Sequence, residues 1–157
     1  MKREQLAHFV DTTMCGTTPN YVLLGDGISS LSEEFNAETE TTQWINQESG
    51  TTSVKSYTPT IEVERQDCTD DECREWIKEI IDTLPTGTDA ETYVVRVDKS
   101  SANTDGSYPA IRRKFAVSAG STGGDAGGYV VDSVSFGGAG DQVEGTFNVS
   151  TLTFTES

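Results

Sequence analysis

The fold is decided by residues 60–84, which read TIEVERQDCTDDECREWIKEIIDTL. In the first part, apolar and acidic residues alternate, as they do in a strand with one buried face. In the second part, residues 69–84, apolar residues recur at the i, i+3, i+4, i+7 spacing of one helical face. Because that apolar stripe must be buried, we expect the helix to cover a sheet.

The helix carries its own start and stop signals. Thr69 and Glu72 have the spacing of a capping box at the N-terminus. Pro85 and Gly87 end the helical pattern. The sequence therefore predicts one helix at about 69–84. Its apolar face comprises Cys73, Trp76, Ile77, Ile80, Ile81 and Leu84.

The remaining chain has the alternation and the glycine-rich turns of β-structure, with six or seven strands expected. The fold class is mainly β (α+β), an antiparallel β-sandwich or barrel with one flanking α-helix. Residues 1–18 lack periodicity and are expected to form an N-terminal arm, and residues 19–157 a single domain. In the last strand the apolar parity changes, which a bulge near Ser150 and Thr151 would explain.

Charge and composition exclude several classes of protein. The 157 residues contain 26 Asp and Glu against 11 Lys and Arg, a net charge of −15. Binding of a nucleic-acid backbone needs clustered Lys and Arg, so specific DNA or RNA binding is not expected. No apolar run approaches the ~20 residues of a membrane span, and no secretory signal is recognised.

The residues that usually carry catalysis or bind metals are sparse. The only histidine is His8, and no nucleophile or metalloprotease motif accompanies it. Cys15, Cys68 and Cys73 could join His8 in a Cys3His zinc site, but their spacing is unusual and structural cysteines are favoured. We therefore expect no enzymatic activity, no cofactor and no metal.

Six short segments, in chain order, carry a family resemblance across nearly the whole chain. With them, the chain resembles the tail tube (major tail) proteins of tailed bacteriophages, particularly of long-tailed phages and prophages of Gram-positive hosts. The segments are VDTT at 10–13, YVLLGDGISSL at 21–31, ETE at 38–40, TPTI at 58–61, YPAIR at 108–112 and GTF at 145–147.

The resemblance implies a structural virion protein, made in the bacterial cytoplasm, that assembles into stacked hexameric rings. Subunits with this tail-tube fold form a tube that serves as a conduit for DNA. The DNA passes through without specific binding. It also implies contacts with the tape measure, tail terminator and distal tail proteins. Ring-to-ring contacts in the family use an arm, a long hairpin loop and the terminus, which look like residues 1–18, residues 46–57 and the last strand.

A conduit for a polyanion should repel it, so acidic side chains are expected on its inner wall. The alternative is that the same side chains are solvated on an outer face. The lumen-facing candidates are Glu38, Glu40, Glu62 and Glu64.

Two segments are candidates for contacts between subunits. A basic run in an acidic protein is either a solvated face or half of an interface, and we favour the interface. The subunit-interface candidates are Arg112, Arg113 and Lys114, with Ser49, Gly50 and Thr51 from the hairpin loop. Two other functions stay open: the inner tube of a contractile tail or tail-like particle, and a secreted adhesin-like β-sandwich that binds a ligand through its glycine-rich loops.

Overall fold

The protein is described by a computed structural model that covers residues 1–157. It has eleven strands, all paired antiparallel, and one α-helix. The predicted fold class is therefore confirmed, with more strands than the six or seven expected. The strands are β1 (Leu6–Asp11), β2 (Tyr21–Leu23), β3 (Glu33–Glu34), β4 (Ala37–Thr42), β5 (Thr51–Tyr57), β6 (Thr60–Gln66), β7 (Glu91–Asp98), β8 (Tyr108–Gly123), β9 (Val131–Gly138), β10 (Val143–Asn148) and β11 (Thr153–Glu156), and the helix is α1 (Glu72–Thr83).

Nine of the strands form one sheet. Its main order is β2-β1-β7-β8-β9-β6-β3, and the strands at its two ends do not pair with each other. The long strand β8 pairs with β10 through residues 108–112 and with β9 through residues 115–123, so these two strands follow one another along the same edge of β8. Strands β4 and β5 form a separate two-stranded sheet.

The first core lies between one face of the sheet and α1. The indole ring of Trp76 stacks on Phe136 with centroids 5.9 Å apart, and Cys73, Ile77 and Ile80 are buried beside it. Each large apolar side chain buried here contributes roughly 1.5–3 kcal/mol to the free energy of folding. The helix thus covers a sheet, as its periodicity predicts.

The N-terminus of α1 does not have the predicted capping box of Thr69 and Glu72. The N-cap is Asp71, whose side chain accepts a hydrogen bond from the Arg74 amide at 2.8 Å. The Thr69 hydroxyl instead accepts a hydrogen bond from Arg65 at 3.0 Å. At the other end, Leu84 takes a left-handed conformation, with φ 48°, and its amide bonds to the Ile80 carbonyl.

A second core lies on the opposite face of β1, β7 and the first part of β8. Phe147 of β10 is wholly buried there, with its ring centroid 4.6 Å from that of Phe9 and 5.6 Å from that of Tyr21. The β10–β11 hairpin therefore packs over this face. The other buried members are Ala7, Val95, Val97 and Ala110.

Two predictions about the chain ends are wrong. Residues 1–18 are not an arm throughout, because Leu6–Asp11 forms β1 between β2 and β7, with every residue after Leu6 buried. The parity change near Ser150 is a tight turn between β10 and β11 and not a bulge, and Leu152 has a φ of 53° in that turn.

The single helix is not long and apolar enough to cross a membrane.

Candidate assembly surfaces

The outer surface of β3, β6, β9 and the second half of β8 forms what we call the acidic face. Glu62 and Glu64 alternate with buried residues along β6 and are exposed on this face, and Glu34 joins them from β3. Opposite Glu62 and Glu64 stand Ser135 and Ser133 of β9. Because no Lys or Arg occupies the outward positions from β6 to residues 116–123 of β8, the face carries only negative charge.

The four predicted lumen-facing glutamates fall on two different sheets. Glu38 and Glu40 lie on β4 and not on the acidic face. The Glu40 carboxylate lies 3.3 Å from the Lys55 ammonium, and the Glu38 carboxylate accepts a hydrogen bond from Ser56 at 3.3 Å. Sequence reasoning missed Glu34, because a two-residue strand shows no periodicity.

Residues 37–57 form what we call the projecting hairpin. Strands β4 and β5 pair only with each other, and every residue in both strands is exposed. The hydroxyls of Thr41 and Thr52 lie 2.9 Å apart across the pair. An isolated two-stranded ribbon is at best marginally stable in water, so this element needs a partner surface to be held firmly.

The tip of the projecting hairpin is an ordered turn that carries apolar side chains. The Gln43 side chain donates to the carbonyls of Gln47 and Glu48 at 3.0 and 3.1 Å, and the Trp44 amide donates to the Gln47 side chain at 3.2 Å. Trp44 is 63% exposed and Ile45 is wholly exposed. The interface candidates Ser49, Gly50 and Thr51 are exposed on the same turn and at the start of β5.

The base of the projecting hairpin is clamped to the sheet by a buried polar cluster. The Glu33 carboxylate accepts a hydrogen bond from Arg96 at 2.8 Å and lies 3.6 Å from the Nε2 atom of buried His8. The Arg96 guanidinium also lies 5.4 Å from the ring centroid of Phe35. Asn36, just before β4, donates a side-chain hydrogen bond at 3.0 Å to the carbonyl of Thr58, just after β5.

The pH dependence of stability should report on this clamp. Burial alone would raise the pKa of Glu33, but the neighbouring His8 and Arg96 side chains outweigh burial and hold the pKa below its ordinary 4.5. Ionised Glu33 therefore contributes stability that is present above pH 4.5 and is lost as the pH falls through the lowered pKa. We expect Glu33→Gln to destabilise the protein at neutral pH and the difference to shrink in acid.

Chemical denaturation at a series of pH values measures this difference. Glu34→Gln is the matched control, since its side chain is exposed on the acidic face. We expect the control to unfold like the unsubstituted chain at neutral pH. A Glu33→Gln difference that grew as the pH fell would contradict the assignment.

The basic run on β8 is divided between the two faces of the sheet, and Arg112 is already engaged. Its guanidinium lies between the rings of Tyr93 and Phe154, at 4.6 and 4.9 Å from their centroids. Such stacking contributes about 0.5–1 kcal/mol at exposed sites. This arginine thus supports the second core.

The two residues that follow also have partners within the chain. The Arg113 side chain points to the opposite face and donates to Gln142 at 3.0 Å. The Lys114 ammonium lies 3.0 Å from the Glu91 carboxylate, which raises the pKa of that lysine. The run therefore does not present three free cations on one surface.

The cysteines do not converge. All three are free, and Cys73 is buried under the sheet, where burial raises the pKa of its thiol to about 11. Burial likewise raises the pKa of the half-buried Cys15, whereas Cys68 is exposed. No group of three or more His, Cys, Asp or Glu side chains is arranged to hold a metal ion.

Comparison with known proteins gives structural likeness without sequence matches. No family model and no curated protein sequence matches the chain. The tail of the empty gene transfer agent particle, computed with C6 symmetry, matches with a TM-score of 0.62 at 15% identity, covering 99% of this chain and 98% of that chain. The SPP1 tail tube matches with a TM-score of 0.66 at 12% identity, covering 92% and 78%.

A contractile particle gives a weaker match. The sheath–tube complex of an extracellular contractile injection system, in the extended state, has a TM-score of 0.51 at 10% identity, covering 92% of this chain and 90% of that chain. At such low identities the likeness concerns the path of the backbone. The chain therefore has the fold of the tail tube proteins.

Proposed function

We propose that this chain is the repeating subunit of a phage-type tail tube, in which hexameric rings stack around a channel for DNA. The observation that carries the proposal is the fold shared from end to end with the tail of a particle computed with C6 symmetry. The exposed projecting hairpin and the one-sided charge of the acidic face agree with a subunit that works only in an assembly.

The proposal includes a place in the virion and a set of partners. The subunit would belong to the tail of a long-tailed phage or prophage of a Gram-positive host, where it meets the tape measure, tail terminator and distal tail proteins. It would have no catalytic activity. The alternative is the inner tube of a contractile particle. It ranks second because the contractile injection system shares the fold less closely, with a TM-score of 0.51.

Imaging of the purified protein tests the function. Negative-stain microscopy should find rings or tubes with a central channel, and size-exclusion chromatography should give species far larger than the 17.0 kDa chain. A protein that stayed monomeric at every salt and protein concentration would overturn the proposal. Melting that depended on calcium would favour the adhesin instead.

We further propose that the acidic face lines the channel, with Glu62 and Glu64 on the inner wall. Its residues on β6 stand beside serines and no cation, which suits a surface that must not hold a phosphate backbone. Glu38 and Glu40 would lie in contacts between copies, together with Ser49, Gly50 and Thr51 of the same hairpin. The exposed atoms of Arg112, Arg113 and Lys114 remain candidates for the lateral contact.

Charge reversal tests the channel assignment. Tubes of the Glu62→Lys/Glu64→Lys variant should retain double-stranded DNA in a pull-down at low salt and release it as salt rises, whereas unsubstituted tubes should retain none. Both side chains are exposed, so the variant should fold. The matched control is Glu75→Lys/Glu79→Lys, on the exposed face of α1. Equal DNA retention by both variants would contradict the assignment.

A further inference from the structure

We infer that the tip of the projecting hairpin, through Trp44 and Ile45, binds in a groove beside the N-terminus of a second copy of this chain. The inference rests on the proposed function, and it names the surface of the second copy that receives the tip of the projecting hairpin. The groove, which we call the N-terminal groove, lies between β1, β2 and residues 25–31. Its lining includes Leu6, Leu23, Leu24, Ile28 and Leu31, with Arg3 and Lys99 at its edge.

The N-terminal groove is concave and partly apolar. Its volume is about 520 Å³, within the 300–1,000 Å³ typical of binding clefts. Leu24 and Leu31 are buried, whereas Leu23 is 46% exposed. An exposed leucine above a buried apolar floor leaves unfilled contact area for an apolar side chain from outside.

The tip supplies the side chains that such a groove can hold. Trp44 and Ile45 stand side by side on a turn whose hydrogen bonds already fix its shape. A preformed turn loses little conformational entropy on docking, and a tryptophan inserted in a pocket is a common centre of binding energy. Both side chains would leave water on binding.

Charge favours the same pairing. Arg3 and Lys99 are among the six Lys and Arg that make no salt bridge in this chain, and the groove also contains Glu4. The tip carries Glu48 and no cation. The Arg3 guanidinium donates hydrogen bonds to the carbonyls of Leu6 and Leu31, but no carboxylate pairs with it. In a protein with a net charge of −15, two copies repel each other, so contact is favoured where cations without a carboxylate partner meet a carboxylate.

The occupant must come from another copy. In its own chain the projecting hairpin is exposed along its whole length, so its tip does not fill the groove beside its own N-terminus. Tip and groove are also different surfaces. A contact between unlike surfaces is heterologous, and repeated heterologous contacts build rings or open polymers instead of closed dimers.

A second receptor competes with the groove. Tyr129 is 63% exposed and Val130 46% exposed at the end of the glycine-rich loop between β8 and β9. That loop carries Asp125 and no cation, so it would bring two negative surfaces together. The groove is therefore the better partner for an acidic tip, and an experiment can separate the two.

Photo-crosslinking tests the inference. Trp44→p-benzoylphenylalanine is assembled with an isotope-labelled copy, irradiated, and analysed by mass spectrometry. We expect cross-links between unlike copies to peptides containing residues 1–6, 23–31 or 97–100. The matched control carries the same photoreactive group at Val54, exposed on β5 away from the tip, and should not yield those cross-links.

The charge pairing gives a second measurement. Arg3→Glu/Lys99→Glu should lose the cross-link, and Glu48→Lys should restore it. Tubes that form while cross-links map to residues 124–130, or nowhere in the groove, would overturn the inference and leave the proposed function intact. Failure of the unsubstituted chain to assemble at all would instead count against the proposed function.

Discussion

Arg65→Met should lower the free energy of unfolding by about 3 kcal/mol or more, because the substitution leaves a partly buried carboxylate and two oxygens without their donor. Arg65 is 2% exposed. Its guanidinium donates to the Asp26 carbonyl at 2.9 Å, to the Thr69 hydroxyl at 3.0 Å and to the Asp71 carboxylate at 2.9 Å. One side chain thus ties β6, the turn after β2 and the N-cap of α1 together.

Urea denaturation, compared with Arg74→Met, measures this effect. Arg74 also pairs with carboxylates just before α1, those of Asp67 and Asp70, but its side chain is 24% exposed and that of Asp70 is 87% exposed. Exposed pairs are screened by water and contribute little, so the control should lose only a small part of what Arg65→Met loses. Equal losses in the two variants would show that burial of Arg65 is not the cause.

The buried role of Arg65 could be predicted only in part from the sequence. Alternation along β6 puts it on the same side as Ile61 and Val63, which indicates burial. Its partner Asp26 is distant in the chain, and nothing local identifies it. A long-range contact also explains why the N-cap of α1 is Asp71 and not the predicted Thr69. Both residue types can cap a helix, but the Thr69 hydroxyl accepts its hydrogen bond from Arg65.

Strand β1 was missed because burial on both faces removes the alternation on which strand prediction depends. Ala7 and Phe9 face the second core, whereas Val10 faces the first and His8 packs beside the clamp. A strand buried on both sides shows no period of two. The segment before Asp11 is therefore irregular in the sequence although it is central in the sheet.

The sequence also could not predict on which surface each outward-facing glutamate lies. Glu38 and Glu40 alternate with threonines just as Glu62 and Glu64 alternate with apolar residues, so parity identifies outward-facing glutamates in both segments. Membership of a sheet is decided by long-range pairing, which put the two pairs on different surfaces. Only the local half of the prediction, exposure on a strand, could follow from the sequence.

Phe147→Ala should lower the free energy of unfolding by about 3–5 kcal/mol, as is usual when a buried phenylalanine is truncated. Phe147 is wholly buried against Phe9 and Tyr21 in a core of only seven buried residues. A domain of this size is typically stable by 5–15 kcal/mol, so the loss is a large fraction of the total. Thermal and denaturant unfolding measure it, with Phe154→Ala, half-buried on the next strand, expected to lose less.

The same substitution should also loosen one part of the molecule more than the rest. Phe147 lies on β10, and its burial holds the β10–β11 hairpin against β1 and β7. In hydrogen exchange by mass spectrometry, we therefore expect Phe147→Ala to speed exchange most in residues 143–156, since this hairpin can open without unfolding the first core. Trp76→Ala, which creates a cavity under α1, should instead speed exchange in residues 72–83 and in β9. Matching exchange patterns in the two variants would mean that the two cores unfold as one unit.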